Sequence, residues 1–283
     1  MRLHSTIETS TQPQFETGTI MSKTSVISTD IIDQYQKDGY VTIPNVIDPN
    51  LVEEAGQHID WLQKKHPDLR SENFHHRLVA EDPFWVRLIS DDRLLDIAEA
   101  FIGPNIALFA SHYISKPPVD GRPVLWHQDG SYWPLQPMEV VTLWLAVDDS
   151  TTENGCMRVI PQTQSTQLHE MKARPETPSV LGSGMSEELV DTKSAVDVTV
   201  KAGGVSVHHP NLIHGSNPNT SSKRRAGLTI RYIPTSTKII SENTWPCAFL
   251  LRGNEVPGIN TYLPNPKYIK GSHMPFSGCE NWI

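Results

Sequence analysis

From residue 105 onward, the sequence consists of short runs rich in β-branched and aromatic residues, separated by proline and glycine. Runs of this length and spacing are typical of the strands of an antiparallel sandwich or barrel. The sequence therefore predicts a mostly β protein with flanking helices, whose strands form a double-stranded β-helix, the jelly-roll or cupin-like fold. The predicted strands cover residues 106–115, 124–128, 140–148, 157–160, 196–200, 204–208 and 225–233.

The residues ahead of this β-rich part are predicted to be mainly helical. Apolar residues at helical spacing predict helices over 30–37, 50–65 and 91–102, with a strand over 40–43. Thr29 or Asp30 is the expected N-cap of the first helix and Gly39 its C-terminal stop. Residues 67–83 show little periodicity and are predicted to form a solvated loop; the alternative is a lid that contacts the substrate.

Composition limits the domain organisation and the class of partner. With 283 residues, 37% of them hydrophobic, the chain can bury one sizeable core, which predicts a single domain over residues 30–283. Residues 1–29 are rich in Ser and Thr and lack apolar periodicity, so they are predicted to be a disordered tail. The net charge of −8 argues against a nucleic-acid partner. No apolar run approaches the roughly 20 residues that cross a bilayer, and the 3 scattered cysteines fit a reducing compartment, so a cytoplasmic location is predicted.

A possible metal site lies in the run 124–130, which reads VLWHQDG. If this run is extended, His127 and Asp129 point to the same face, because side chains alternate along a strand. A histidine from a distant strand would complete a facial triad of two histidines and one carboxylate, which binds Fe(II) and leaves the opposite positions open. His214 is the best candidate for this third ligand.

The residues that follow His214 support this choice. Ser216 and Arg225 lie downstream, and an arginine fork matches a carboxylate in bidentate geometry. We therefore expect Arg225 to hold the far carboxylate of 2-oxoglutarate while the keto acid end chelates iron. On spacing alone His208 and His209 compete with His214, but the Gly-Ser step and the interval to Arg225 favour His214.

Ordered sequence blocks carry a resemblance to a known family. They read ISKPP at 114–118, WHQD at 126–129, NGCMRVIP at 154–161, then 209–225 with HP at its start and HGS within it, and HMPF at 273–276. From about residue 30 to the C-terminus, the chain resembles the phytanoyl-CoA dioxygenase family of Fe(II)/2-oxoglutarate oxygenases. The resemblance implies that His127, Asp129 and His214 are iron ligands, that Arg225 and Ser216 clamp 2-oxoglutarate, and that O2 is consumed.

One loop departs from the family pattern. Residues 161–164 read PQTQ, where members of the family often read Pro-Gly-Ser/Thr-His. We expect this departure to affect the substrate pocket near the loop and to leave the metal site untouched.

Strand alternation yields further candidate residues. Arg225 and Arg231 fall on one face of the last run, and a buried arginine needs an anionic partner. Arg231 is therefore predicted either to pair with a structural carboxylate or to receive an acidic group of the substrate. Lys116 is expected to salt-bridge the turn at Pro117 or to contact 2-oxoglutarate. The full set of candidates comprises cofactor contacts at Arg225, Ser216, Thr142 and Lys116, and substrate contacts at Arg231, Trp133 and His112.

These residues predict a hydroxylase that oxidises an unactivated C–H bond of a small polar or anionic metabolite, or of an intermediate of secondary metabolism, and releases succinate and CO2. The alternatives are a fatty acyl-CoA hydroxylase and a non-catalytic metal-binding protein of the same fold. The resemblance places Asp129 where related halogenases have a small residue, which favours hydroxylation over chlorination. Desaturation, ring closure and epoxidation stay open.

Overall fold

The first part of the folded chain is helical, as predicted. In the computed structural model, which describes residues 27–283, Gly39 ends the first helix with a left-handed φ of 81°. Ile27 is buried in the core and α1 begins at Thr29, so folded structure begins ahead of residue 30; residues 1–26 of the predicted tail lie outside the described residues. The helices are α1 Thr29–Asp38, α2 Pro49–Lys65, α3 His76–Val79, α4 Pro83–Ile89 and α5 Asp92–Ile102.

The prediction of a solvated loop over 67–83 was wrong. This segment contains a 3-10 turn, Ser71–Asn73, whose Glu72 is completely buried. A short strand and α3 follow, and α4 begins at Pro83. Asp82 caps α4, because its side chain accepts a hydrogen bond from the backbone N–H of Trp85. Short elements of this kind leave no periodicity in the sequence.

Two facing antiparallel sheets form the centre of the molecule, which confirms the predicted mostly β, jelly-roll architecture. The larger sheet has the strand order β1-β11-β6-β13-β3-β15, with β2 paired to β3, and the smaller has the order β10-β7-β12-β4. The remaining strands form the pairs β5 with β14 and β8 with β9. The strands are β1 Tyr40–Ile43, β2 Phe74–His75, β3 Ile106–Tyr113, β4 Val124–His127, β5 Leu135–Gln136, β6 Val141–Ala146, β7 Met157–Val159, β8 Lys172–Ala173, β9 Ser183–Gly184, β10 Val196–Val198, β11 Val205–His208, β12 His214–Ser216, β13 Gly227–Pro234, β14 Lys238–Ile239 and β15 Phe249–Arg252.

Each strand predicted from residue 106 onward contains an observed strand. The strands β12 and β15 and the two-residue strands β5, β8, β9 and β14 were not predicted. Strand β12 has only 3 residues, too few to show an alternating pattern. It is nevertheless central in the smaller sheet, because it pairs with both β4 and β7.

The two faces of the larger sheet have different roles. On β6, Leu143 and Leu145 belong to the core that the sheet shares with the helices. Trp144 and Ala146 face the other way and pack with Met157 and other residues of the smaller sheet. The space between the sheets is therefore reached by alternate residues of β6, as strand geometry requires.

The PQTQ loop at 161–164 packs against the end of α1. Gln164 donates from Nε2 to the backbone oxygens of Gln36 and Lys37, at 2.9 and 3.1 Å. Gln162 has a left-handed φ of 66°, a conformation that glycine adopts without strain. These contacts fix α1 to the barrel and do not involve the cavity described next.

Candidate functional site

The structure brings His127, Asp129 and His214 together between the sheets. His127 ends β4 and is the register partner of His214, which begins β12. Strand β4 ends before Asp129, but the intervening Gln128 is extended, with φ −118° and ψ 123°, so the alternation continues to Asp129. One ligand atom from each of the three side chains lies within 4.8 Å of the others, and all three residues are buried.

The two histidines present the same nitrogen to this centre. Nδ1 of His127 lies 2.8 Å from the Leu125 carbonyl oxygen, and Nδ1 of His214 lies 2.9 Å from that of Leu212. Since a carbonyl oxygen only accepts, each Nδ1 carries the hydrogen and each Nε2 keeps a free lone pair. Burial, and then the neighbouring histidines, lower the pKa of His214 well below its usual range, so this ring is neutral.

Asp129 supplies the negative charge. Burial tends to raise its pKa, but the Arg231 charge, and then the His127 and His208 rings that lie close to its oxygens, outweigh burial and hold the pKa well below its usual range. Two imidazoles that offer Nε2 and one ionised carboxylate on one side of a cavity are the donor set of a non-haem Fe(II) centre. The residues therefore fit the metal that the sequence predicted.

An inner cavity of about 50 Å³ opens beside this cluster, and Arg225 forms one of its walls. Arg225 is 3% exposed; its Nε and Nη1 donate to the backbone oxygens of Gly155 and Ile114, at 3.2 and 3.3 Å. Its guanidinium lies over the Trp144 ring, 5.3 Å from the centroid. Burial lowers its pKa to about 10, so it stays charged near neutral pH. No carboxylate of the described residues forms a salt bridge with it, which leaves a buried cation ready for an anion.

Lys116 and Ser216 lie beside Arg225. The backbone of Lys116 pairs with that of Arg225, and its Nζ donates to Ser216 Oγ at 2.7 Å and to the Asn217 carbonyl oxygen at 2.5 Å. Burial, and then Arg225, lower the pKa of Lys116 to about 6. The alternative of a salt bridge near Pro117 is not supported, because Lys116 pairs with no carboxylate in residues 27–283.

Arg231 lies at the opposite side of the ligand cluster. Its Nη2 is 3.8 Å from Asp129 Oδ1, and its Nη1 donates to Thr229 Oγ1 at 2.9 Å. The guanidinium lies over the Trp133 ring, 5.2 Å from the centroid. The carboxylate near Arg231 is thus itself one of the predicted metal ligands.

Thr142 and His208 form one cross-strand row with Arg231. Thr142 is the register partner of His208 on one side and of Arg231 on the other, so all three side chains face the interior. His208 Nε2 lies 3.5 Å from Asp129 Oδ2. Sequence reasoning considered His208 only as a competing ligand and missed this position, because strand register is set by long-range pairing. His209 points away: its Nδ1 accepts a hydrogen bond from the Asn211 backbone N–H at 3.0 Å.

A second, outer chamber of about 300 Å³ adjoins the inner cavity. Asp129, Leu181 and Arg231 line both spaces. The predicted candidate Trp133 lines the outer chamber, whereas the other aromatic residues there were not predicted. The aromatic walls are Phe109, Tyr132, Trp133 and Trp245.

His112, another candidate, lies on β3 opposite Thr229. Its Nε2 donates to the Glu72 carbonyl oxygen at 2.8 Å, so the ring is tied to the 3-10 turn ahead of β2. A substrate contact at His112 stays a prediction. Across the described residues, no helix is long and apolar enough to cross a membrane, and the cytoplasmic location stays a prediction as well.

Comparisons with known proteins agree with this geometry. A family model described as phytanoyl-CoA dioxygenase matches residues 35–227, more than half of the chain. A probable alpha-ketoglutarate-dependent hypophosphite dioxygenase of Stutzerimonas stutzeri is 31% identical over 147 residues, which are 51% of each chain. An L-proline trans-4-hydroxylase of Streptomyces griseoviridis is 26% identical over 224 residues, 70% of this chain and 84% of the relative. The match thus spans about half the length of the first relative.

A solved structure shares the fold. The apo form of the non-heme monooxygenase ThoJ superposes with a TM-score of 0.71 at 23% identity, covering 84% of this chain and 88% of ThoJ. At this identity the likeness shows a shared fold.

Proposed function

This chain belongs to the phytanoyl-CoA dioxygenase family, and we propose that it hydroxylates an unactivated C–H bond of a small polar or anionic metabolite. The enzyme class and cofactors expected from the sequence, a dioxygenase that depends on Fe(II), 2-oxoglutarate and O2, are confirmed by the family and by the ligand cluster.

The observation that carries the proposal is the juxtaposition of the ligand cluster with a buried, unpaired arginine. His127, Asp129 and His214 would hold Fe(II), and Arg225 on the wall of the same cavity would hold the distal carboxylate of 2-oxoglutarate. Bound Fe(II) supplies the activation of O2: one oxygen atom enters the product hydroxyl and the other enters succinate, with release of CO2. No further reductant is needed, because 2-oxoglutarate and the C–H bond of the substrate each supply two of the four electrons that reduce O2.

The other residues of the inner cavity orient the cosubstrate and exclude water. Trp144 forms an apolar wall beneath the Arg225 guanidinium, which keeps its plane fixed. Lys116 orients the Ser216 hydroxyl, because its Nζ donates to Ser216 Oγ. The Ser216 hydrogen is thereby free to donate to a carboxylate held by Arg225. A dry cavity strengthens each of these electrostatic contacts.

The substrate class rests on charge and on size. Arg231 adds a second cation next to Asp129, and the outer chamber of about 300 Å³ suits a small molecule. The two relatives described above are named for small molecules, hypophosphite and L-proline. The alternative substrate is a fatty acyl-CoA, which the family name favours. A panel of both classes, assayed for substrate-dependent succinate formation, separates the two.

Anaerobic titration of the purified protein with Fe(II) and 2-oxoglutarate tests the cofactor site. We expect a weak visible charge-transfer band from the chelate in the wild type and none in His214→Ala. His209→Ala is the matched control, because that neighbouring ring bonds to a backbone N–H instead of facing the cluster. Absence of the band in the wild type, or a band retained in His214→Ala, would contradict the assignment.

A further inference from the structure

Arg231 forms the inner end of the outer chamber, where the nearest carboxylate is that of Asp129, at 3.8 Å. Within the part of the chain that the structure describes, Arg231 Nε is buried and has no hydrogen-bond partner. The only acidic residue that lines the chamber, among those described, is Asp129. Once Asp129 holds a divalent cation, its charge is committed to the metal, and Arg231 is left with no anion of its own. A buried guanidinium in this state favours a ligand that brings a negative charge.

Two neighbours extend this polar end. Thr142 Oγ1 and both ring nitrogens of His208 are also buried without a hydrogen-bond partner in residues 27–283. Both residues belong to the cross-strand row that contains Arg231, so their polar atoms face the same interior. Orphaned donors in such a row are costly unless a ligand or ordered water satisfies them.

The rest of the chamber is apolar. Phe109 lies between the Trp133 and Trp245 rings, with centroids at 5.7 and 5.0 Å. The Arg231 guanidinium lies over the Trp133 ring of this wall, 5.2 Å from its centroid. A volume of about 300 Å³ accommodates on the order of ten non-hydrogen atoms, given the ~30 Å³ that each water occupies in the liquid. The chamber thus combines one cationic end with an aromatic body.

From this arrangement we propose that the substrate is a free acid. Its carboxylate is held by Arg231, with Thr142 and His208 within the same row, and its apolar body of about ten non-hydrogen atoms lies among the aromatic side chains. An ester or a coenzyme A thioester brings no negative charge to this point and would leave Arg231 without an anion once Asp129 holds the metal. This inference rests on the proposed function and specifies its substrate.

The position of Arg231 also limits the site of oxidation. Because its Nη2 lies 3.8 Å from a carboxylate oxygen of the ligand cluster, an acid group on Arg231 is adjacent to that cluster. The C–H bond that reacts is therefore close to the acid group, at its α, β or γ carbon. The far end of the apolar body points toward Trp245 and away from the ligands.

The test compares matched ligands on the wild-type protein under anaerobic conditions, with Fe(II) and 2-oxoglutarate bound. Cyclohexylacetic acid and 3-phenylpropionic acid are titrated calorimetrically beside their amides, their methyl esters and the phosphonates of the same body. We expect the carboxylates to bind roughly tenfold to a hundredfold more tightly than the amides and esters. Equal binding of acid and amide would overturn the inference. Tighter binding of the phosphonates would replace the carboxylate by a dianionic ligand and overturn it as well.

Substitutions test whether Arg231 is responsible for the preference for acids over amides. In Arg231→Gln the ratio between acid and amide affinity is expected to fall close to one, and in Arg231→Lys it is expected to recover in part. Arg158→Gln is the matched control, since Arg158 pairs with Asp197 on the smaller sheet, outside both chambers. A ratio unchanged in a folded Arg231→Gln protein would contradict the assignment. If that variant does not fold, the wild-type ligand series still decides.

The two proposals fail in different ways. A visible chelate band with no preference for acids would keep the oxygenase and overturn the acid site. A preference for acids without the band would keep the acid site and overturn the cofactor assignment. With O2 admitted, mass spectrometry and NMR of the product locate the new hydroxyl, and a hydroxyl at the far end of the body would overturn the proposed orientation.

Discussion

Replacing Lys116 by methionine tests the electrostatics of the inner cavity. Lys116 is fully buried, and burial together with Arg225 lowers its pKa from 10.5 to about 6. Between these two pH values the unfolded chain holds a proton that the folded protein releases, so wild-type stability rises with pH in this window. Methionine has a similar length and carries no charge, so Lys116→Met removes this dependence.

The expected size follows from the pKa difference. One pH unit corresponds to about 1.4 kcal/mol, so burying Lys116 costs about 5 kcal/mol at pH 7 and about 3 kcal/mol at pH 8. Methionine loses the hydrogen bonds to Ser216 and Asn217, which are worth about 2 kcal/mol together. Lys116→Met should therefore be more stable than the wild type by about 3 kcal/mol at pH 7 and about 1 kcal/mol at pH 8, and less stable by about 2 kcal/mol near pH 10.5.

Urea unfolding of metal-free and cosubstrate-free protein from pH 7 to pH 10 measures this. The difference in the free energy of unfolding between variant and wild type should change by about 1.4 kcal/mol per pH unit. Lys201→Met is the matched control, because Lys201 is exposed and pairs with Asp149, and its difference should stay nearly flat. A flat difference for Lys116→Met would show that the buried ammonium is retained and would refute the reasoning.

Further substitutions probe the cosubstrate clamp, its aromatic wall and the helical brace. Arg225→Lys loses the bidentate fork, so the Kd for 2-oxoglutarate should rise about tenfold or more, while Fe(II) binding alone is unchanged. Anaerobic titration of the visible band with 2-oxoglutarate measures the first, and calorimetric titration with Fe(II) alone measures the second. In Gly227→Ala the new Cβ would lie 2.0 Å from the Trp144 ring, so this ring must move; denaturant unfolding should show a loss of about 1–3 kcal/mol, with weaker 2-oxoglutarate binding. Burial tends to raise the pKa of Asp82, but the His58 charge and hydrogen bond outweigh it and leave the pKa lowered. The contribution of Asp82 to stability is therefore present above pH 3.8 and lost as the pH falls, so Asp82→Asn should be about 1–3 kcal/mol less stable at pH 7, with a gap that narrows below pH 4.

The sequence alone predicted the positions in the site that depend on side-chain alternation within one strand. Alternation along β4 placed His127 and Asp129 on one side, and the structure retains that alternation although the strand ends at His127. Alternation likewise placed Arg225 and Arg231 on one face, and both line the inner cavity. These predictions succeeded because the period of a strand is fixed by backbone geometry alone.

The sequence did not predict the contacts that depend on the pairing of distant segments. The place of His208 beside Asp129 depends on the register of β11 against β6, which no pattern within either strand determines. Trp245 follows β14 in an irregular segment, and only the folded chain brings it to Phe109. Such contacts depend on how distant segments pair in the folded chain, so they can be identified only from the three-dimensional structure.

The two arginines of the cavity differ in how closely they are tied to the family. The family match ends at residue 227, so it includes Arg225 and excludes Arg231. A residue that holds the shared cosubstrate must keep its place whenever the reaction is kept, whereas a residue that holds the substrate can change with it. Arg231 lies on β13, beyond the isolated bridge between Arg225 and Lys116, so a change of its side chain leaves that backbone pairing intact. Because Arg231 Nη2 also lies 3.8 Å from Asp129 Oδ1, a change of side chain at this position would alter substrate binding and the charge around the ligand cluster together.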